Sequence, residues 1–356
     1  SPGSLIYPVD QRWFATRTWF DNEPVDGGTK ILPKIYYHSG LDIGGSERQV
    51  KVIAATDALV VSVGDDVLEE HRRDTPVEAR YDVVYLLDAR GWYYRYSHLD
   101  TINNTIRPGR VIDRGTEIGL LGKKGASGGW SHLHFEIKSR QPSGKWGTQA
   151  GYAFLWQAYR NQYKPQLVAN TRRKSFLMAG EDATLDGSKS WSVTDSIRNY
   201  EWTFSDGTTA LGSSVTRSYN QPGLFSEILK VTDTAGNVAY DFAEVHVLDP
   251  KKSDEYVPRI HAAYWPTFNN KVNESITFKV RSFGNEDGSE VWDFGDGSPL
   301  VTVKSNASAD RHAKDGYAIT DHTYQQPGDY LVRVQRSRKD GVTATARLHV
   351  RVGNEQ

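Results

Sequence analysis

Over the first third of the chain, apolar and polar positions alternate in short runs broken by turn residues. That two-residue period belongs to strands with one buried face. "VKVIAATDALVVSVG" (Val50 to Gly64) predicts two strand pieces broken at Thr56-Asp57. "YDVVYLLDARGWYYRYSHL" (Tyr81 to Leu99) predicts a hairpin turning at Asp88-Ala89-Arg90-Gly91. "IRPGRVIDRGTEIGLLGKKG" carries turn signals at Pro108-Gly109 and Arg114-Gly115. The charged stretch "DDVLEEHRRDTPVEAR" predicts a surface loop in which His71 is solvated. The period becomes helical over "AFLWQAYRNQY" (Ala153 to Tyr163), predicting one helix that ends before Pro165, where a domain boundary is placed.

Beyond that point the chain repeats itself. "YEWTFSDGTTA" (Tyr200 to Ala210) is matched by "EVWDFGDGSPL" (Glu290 to Leu300), and "SYNQPGLFSEILKV" by "TYQQPGDYLVRV". In each copy Trp and Phe alternate onto one strand face before an Asp-Gly turn. The second copy is longer, with an inserted loop in "KSNASADRHAKDGYA". The expectation is a mostly β protein: a first domain over 1–165, then two β-sandwiches over 166–250 and 255–353.

Composition narrows the function classes. At 356 residues the chain exceeds one ordinary core. A net charge of -1 gives no electrostatic case for nucleic acid or an anionic membrane, and no apolar run is long enough to span a bilayer. Cysteine is absent, so any metal chemistry falls to His, Asp and Glu. With 10 Trp and 19 Tyr the chain is suited to bind sugars or extended polymers. The opening "SPGSLIYPVD" lacks the basic and apolar regions of a signal peptide, so an export signal is expected outside this sequence.

Three histidine segments stand out. "YYHSGLDIGG" places His38 and Asp42 on either side of a bend that Gly40 permits. "YRYSHLD" puts His98 at the end of the hairpin. "WSHLHFEI" sets His132 and His134 on one strand face with Leu133 on the other. Two buried imidazoles side by side need a partner, and a metal is the economical one.

These segments resemble the lysostaphin-type zinc endopeptidases, which cleave peptide cross-bridges in bacterial cell walls. The family signature of H-x-x-x-D, a later S/A-H-L and a terminal H-x-H reads here as His38 to Asp42, Ser97-His98-Leu99 and His132-Leu133-His134. The likeness runs from about residue 35 to 140 and implies an antiparallel β-sheet peptidase domain. It also implies zinc held by His38, Asp42 and His134, with His98 and His132 as unliganded catalytic histidines. Three ligands leave a position for water, whose pKa zinc lowers toward roughly 7. One of His98 and His132 would then move the proton, and the other would hold the oxyanion.

Any one of these histidines alone would be read as a hydrogen-bonded structural residue. Five residues in three ordered motifs are another matter, and a degenerate, ligand-losing regulator of other hydrolases is not expected with all five intact. The sequence departs from the family at Trp130 and Ser131, where a small or prolyl residue usually precedes the H-x-H. Trp130 either lines a substrate groove or packs under the sheet. The charged loop after Gly64 could wall the cleft. Trp13, Phe14, Trp19 and Phe20 could border it, although core packing is the expected role.

The repeated segments resemble PKD (polycystic-kidney-disease-type) domains, which are immunoglobulin-like β-sandwiches, with Ser205 where Gly is usual. Trp202, Phe204, Trp292 and Phe294 are expected in the cores. Asp206-Gly207 and Asp296-Gly297 are expected as turns, with calcium binding by those acids as the alternative. His246, His261, His312, His322 and His349 form no ligand pattern. The combined expectation is a secreted or periplasmic zinc metalloendopeptidase acting on peptidoglycan stems or cross-bridges, with PKD modules as spacers or polymer binders. The competing expectations are the same site acting on a Gly-rich matrix protein or a polysaccharide, and a non-enzymatic polymer-binding adhesin.

Overall fold

The structure, a computed structural model, describes residues 5–13, 16–20, 23–26, 35–171, 174–251, 258–284, 287–307 and 316–353. Phe14, His312 and the middle of the inserted loop lie outside the described residues. The fold is mostly β, and its apolar side chains gather into three principal cores along the chain.

The first region is built on an antiparallel sheet. Its strands run in the order Thr18–Trp19, Leu41–Gly44, His132–Arg140, Tyr93–Ser97, Val84–Leu87, Ala58–Val63 and Val111–Ile112. The break expected at Thr56-Asp57 separates two sheets. Lys51–Ile53, before it, joins a small sheet with Glu117–Leu121 and Leu99–Ile102, and Ala58–Val63, after it, joins the large one. Both sheets feed one core. The helix Gly151–Tyr163 buries Leu155, Ala158 and Tyr159 in that core. It ends at Lys164, whose φ of 45° turns the chain out of the helix.

Register at the centre of the large sheet follows from strict alternation. Leu133, Phe135 and Ile137 are each buried in the core, and each such burial contributes roughly 1.5–3 kcal/mol. A one-residue slip would expose all three, so His132, His134 and Glu136 are committed to the opposite face.

The two C-terminal modules pack the expected aromatic residues. Trp202 and Trp292 are fully buried, and Phe204 and Phe294 nearly so. Trp202 Nε1 donates to Gly212 O at 2.9 Å, and the Trp292 and Phe294 rings stack at 5.8 Å. The acids of the Asp-Gly turns are engaged by protein side chains: Arg217 Nη2 lies 2.6 Å from Asp206, and His322 Nε2 lies 2.8 Å from Asp296. Among the described residues neither acid belongs to a cluster of three or more metal-ligating side chains. His71, expected to be solvated, is instead half-buried, with Nδ1 at 2.8 Å from the Tyr93 hydroxyl.

The modules are not strung out on a tether. Gly223–Asp233 of the first runs parallel to Thr343–Val352 of the second, through Gly223↔Thr343 and Leu224↔Ala344, so one nine-stranded sheet crosses both. Each also grips the first region. Arg17 meets Glu244 at 3.2 Å, Lys174 Nζ donates to Thr18 O at 2.7 Å, and Arg12 N donates to Thr267 Oγ1 at 2.9 Å.

Candidate metal centre

Strand pairing assembles the site. Asp42 lies directly opposite His134 across the Leu41–Gly44 and His132–Arg140 strands, and Ser97 flanks His134 on the other side. Directly opposed residues share a face and touch. His38 reaches the same place because the chain bends at Gly40, whose φ is +76°. A Cβ there would stand 2.6 Å from Glu136 Cγ and 2.7 Å from Phe135 O, so the close approach requires glycine. His98 follows the hairpin strand with φ 71°, left-handed backbone that an L-residue adopts at a cost of about 1–3 kcal/mol. Asp82 secures that turn: its carboxylate, fully buried, accepts from the His98 backbone N–H at 2.9 Å and is paired with Arg80.

All five candidate residues converge. Asp42 Oδ2 is 3.1 Å from His38 Nε2, and Oδ1 is 2.7 Å from His134 Nδ1. His132 Nε2 lies 3.4 Å from the same Oδ1. The His98 and His132 rings are 4.6 Å apart. Burial alone would raise the Asp42 carboxyl, but the imidazoles of His132 and His38 and the hydrogen bonds from His132 and His134 hold it well below the usual carboxylate range.

Among the described residues, the group suited to a metal is His38, Asp42 and His134, whose ligand atoms all lie within 4.8 Å of one another. Two imidazole nitrogens and one carboxylate form a zinc donor set, and ligands on a tetrahedral zinc stand about 3.4 Å apart. The residues fit such an ion. Burial pushes the His134 imidazole down, but Asp42 and Glu136 outweigh it and hold it at about 9. A proton and a divalent cation therefore compete for the same corner.

The other two histidines each turn Nδ1 toward a backbone carbonyl. His98 Nδ1 is 2.7 Å from Lys124 O, and His132 Nδ1 is 3.1 Å from Trp130 O. A carbonyl only accepts, so each Nδ1 carries a hydrogen; His98 Nε2 is left as the basic nitrogen, whereas His132 Nε2 faces the Asp42 carboxylate. Burial pushes His98 down to about 4 against the pull of Asp82, so its ring is neutral at pH 7. Trp130 stacks on His132, with ring centroids 3.9 Å apart and an interplanar angle of 18°.

Family models match three segments: Peptidase family M23 over residues 36–145, and PKD domain over 164–247 and again over 263–352. The chain carries an M23 peptidase domain followed by two PKD domains. The catalytic domain of lysostaphin from Staphylococcus simulans is similar at 22% identity, over 40% of this chain and 92% of that one, with a TM-score of 0.29. The catalytic domain of the prophage-encoded M23 protein EnpA from Enterococcus faecalis is similar at 18% identity, over 40% and 93% of the two chains, with a TM-score of 0.26. Collagenase ColA of Clostridium perfringens is 30% identical over 77 residues, which is 22% of this chain and 7% of that protein. The chain thus spans a small fraction of that relative's length.

The M23 domain also places neighbours beside the site that the motifs did not name. Glu136 is buried beside His134, with Oε1 at 3.7 Å from Nε2, and accepts from Ser39 Oγ at 3.1 Å. It sits two residues beyond His134 on the same strand face, so the even spacing of H-x-H-x-E could have revealed it. Asp82 and Arg80 carried no comparable signal. They close the charged loop, and Arg80 Nη2 comes within 3.3 Å of His98 Nδ1, so that loop does reach the site. Trp19 and Phe20 are buried, and Trp13 packs against the core rather than lining the centre.

Proposed function

We propose that this chain is a zinc metalloendopeptidase that hydrolyses peptide bonds in bacterial peptidoglycan stems or cross-bridges, secreted or periplasmic, with domains over 1–165, 166–250 and 255–353. The observation that carries the reading is the convergence of His38, Asp42 and His134 as a three-donor set, with two further imidazoles, His98 and His132, alongside it. When bound, zinc supplies Lewis acidity, polarising a carbonyl and acidifying water. The chain supplies the rest. His98 and His132 flank that set; one takes a proton at Nε2 and passes it to the leaving amine, and the other steadies the negative oxygen that develops, which requires a hydrogen on its Nε2. The Lys124 and Trp130 carbonyls hold the two rings at Nδ1, and Asp82 holds the His98 backbone.

The test combines metal analysis with product analysis. The purified chain should contain stoichiometric zinc and release new amino groups from purified cell walls, and His134→Ala should lose both. Zinc-loaded protein inactive on every wall type tried would overturn the substrate. A second reading keeps the site and changes the polymer to a Gly-rich matrix protein; the similarity to a collagenase favours testing it. Turnover on elastin-like and collagen-like peptides against turnover on walls separates the two readings.

A further inference from the structure

The segment that carries Trp130 into the metal centre has little rigidity of its own. Gly128 and Gly129 both have positive φ, at 69° and 85°, and the β-strand resumes only at His132. Yet Trp130 must be placed closely, because its ring stacks on His132 and its carbonyl holds the His132 Nδ1 hydrogen. The fixed points come from the second PKD domain. Arg281, whose side chain is fully buried, donates from Nη1 to Gly129 O at 2.8 Å. The Ser131 backbone N–H donates to the Tyr317 hydroxyl at 2.7 Å. That hydroxyl lies 2.7 Å from His261 Nδ1, and the His261 ring stands edge-on to Trp130 at 5.2 Å.

The hydrogens run in one consistent direction. Tyr317 accepts from Ser131 and donates to His261 Nδ1, so His261 Nε2 carries its hydrogen and faces Thr16 Oγ1 at 3.2 Å. The Thr16 hydroxyl then donates to Ala262 O. A chain of hydrogen bonds with a buried centre of this kind favours one arrangement, because breaking a buried link leaves a polar group unsatisfied.

Resting on the metallopeptidase reading, we infer that the second PKD domain is part of the catalytic unit: Tyr317 and Arg281 act as positioning residues that clamp Gly129 to Ser131 and thereby fix the His132 imidazole. The domain is then neither a spacer nor solely a polymer binder. Tyr317→Phe removes one oxygen and keeps the ring, and Arg281→Lys keeps the charge but loses the fork that reaches Gly129.

The experiment uses the full zinc-loaded chain. Tyr317→Phe should lower kcat about tenfold or more with KM and zinc content unchanged, since small misplacements of a catalytic group cost that much. Independently of any substrate, nitrogen-15 NMR of the histidine rings should show His132 in a single state with its hydrogen on Nδ1 in the parent and in a mixture of states in Tyr317→Phe. Arg281→Lys should do the same if it folds; Tyr317→Phe decides the matter if it does not. An unchanged His132 signal together with unchanged kcat overturns the clamp. A changed signal in a chain that cleaves no substrate keeps the clamp and overturns the peptidase reading instead.

Discussion

Gly40 allows the assembly of the site to be tested by one methyl group. Gly40→Ala places a Cβ 2.6 Å from Glu136 Cγ and 2.7 Å from Phe135 O. The glutamate side chain can shift, but Phe135 O belongs to a strand paired on both sides and cannot move without breaking the ladder. The backbone at φ +76° adds roughly 1–2 kcal/mol of left-handed strain for an L-residue. Relief comes most readily if the 38–41 segment swings away from the strand, carrying His38 Nε2 away from Asp42. If that strain must be reimposed to close the site on zinc, affinity falls about tenfold per 1.4 kcal/mol, giving a loss of roughly 5- to 30-fold. Competition titration against a chelating dye measures it. Gly91→Ala is the control, because Gly91 has φ +80° with nothing within 4 Å of its added Cβ and lies in the hairpin turn. Equal zinc affinity in Gly40→Ala and the parent, or an equal loss in Gly91→Ala, would refute the reasoning.

Other substitutions separate the roles. His98→Ala should keep zinc and lose about 10²–10⁴-fold in kcat, the usual worth of general acid–base catalysis; loss of zinc with the ring would contradict its placement outside the ligand set. Trp202→Ala, at a fully buried position, should cost about 3–5 kcal/mol of stability by denaturant unfolding, and a cost under 1 kcal/mol would contradict a core role. Stability should also fall with acid. Burial pushes His246 and His349 down to about 4 and His261 to about 3, so between those values and about 6.5 the unfolded chain binds protons that the folded chain refuses. Each such histidine removes on the order of 1 kcal/mol per pH unit as pH falls through that window. Asp241, raised to about 6 by burial, opposes roughly one of them below pH 6. Urea midpoints that do not move between pH 6.5 and 4.5 would contradict the burial of these rings.

The alternation of apolar residues made the strands legible. Leu133, Phe135 and Ile137 point one way, so the histidines between them had to point the other, and the structure brings all five candidate residues together. The Trp-x-Phe spacing announced the two sandwich cores in the same way. Long-range partners without a local signature were not legible. Asp82 supports His98 across a loop whose composition says only that it is charged, and no pattern in the repeat marks Tyr317 or Arg281 as neighbours of Ser131 and Gly129. Trp130 could be read two ways because its position depends on a residue far along the chain. His261 and His246 formed no ligand pattern, and in the structure they meet Thr16 and Arg17 at the junctions with the first domain.

Anomalous diffraction at the zinc edge, from crystals of the full chain grown with zinc, tests the central claim most directly. A single strong peak is predicted about 2.0–2.2 Å from His38 Nε2, an Asp42 carboxylate oxygen and His134 Nδ1, with His98 and His132 outside bonding distance and no fourth protein ligand. A peak elsewhere, or one closed off by a fourth side chain, would contradict the account.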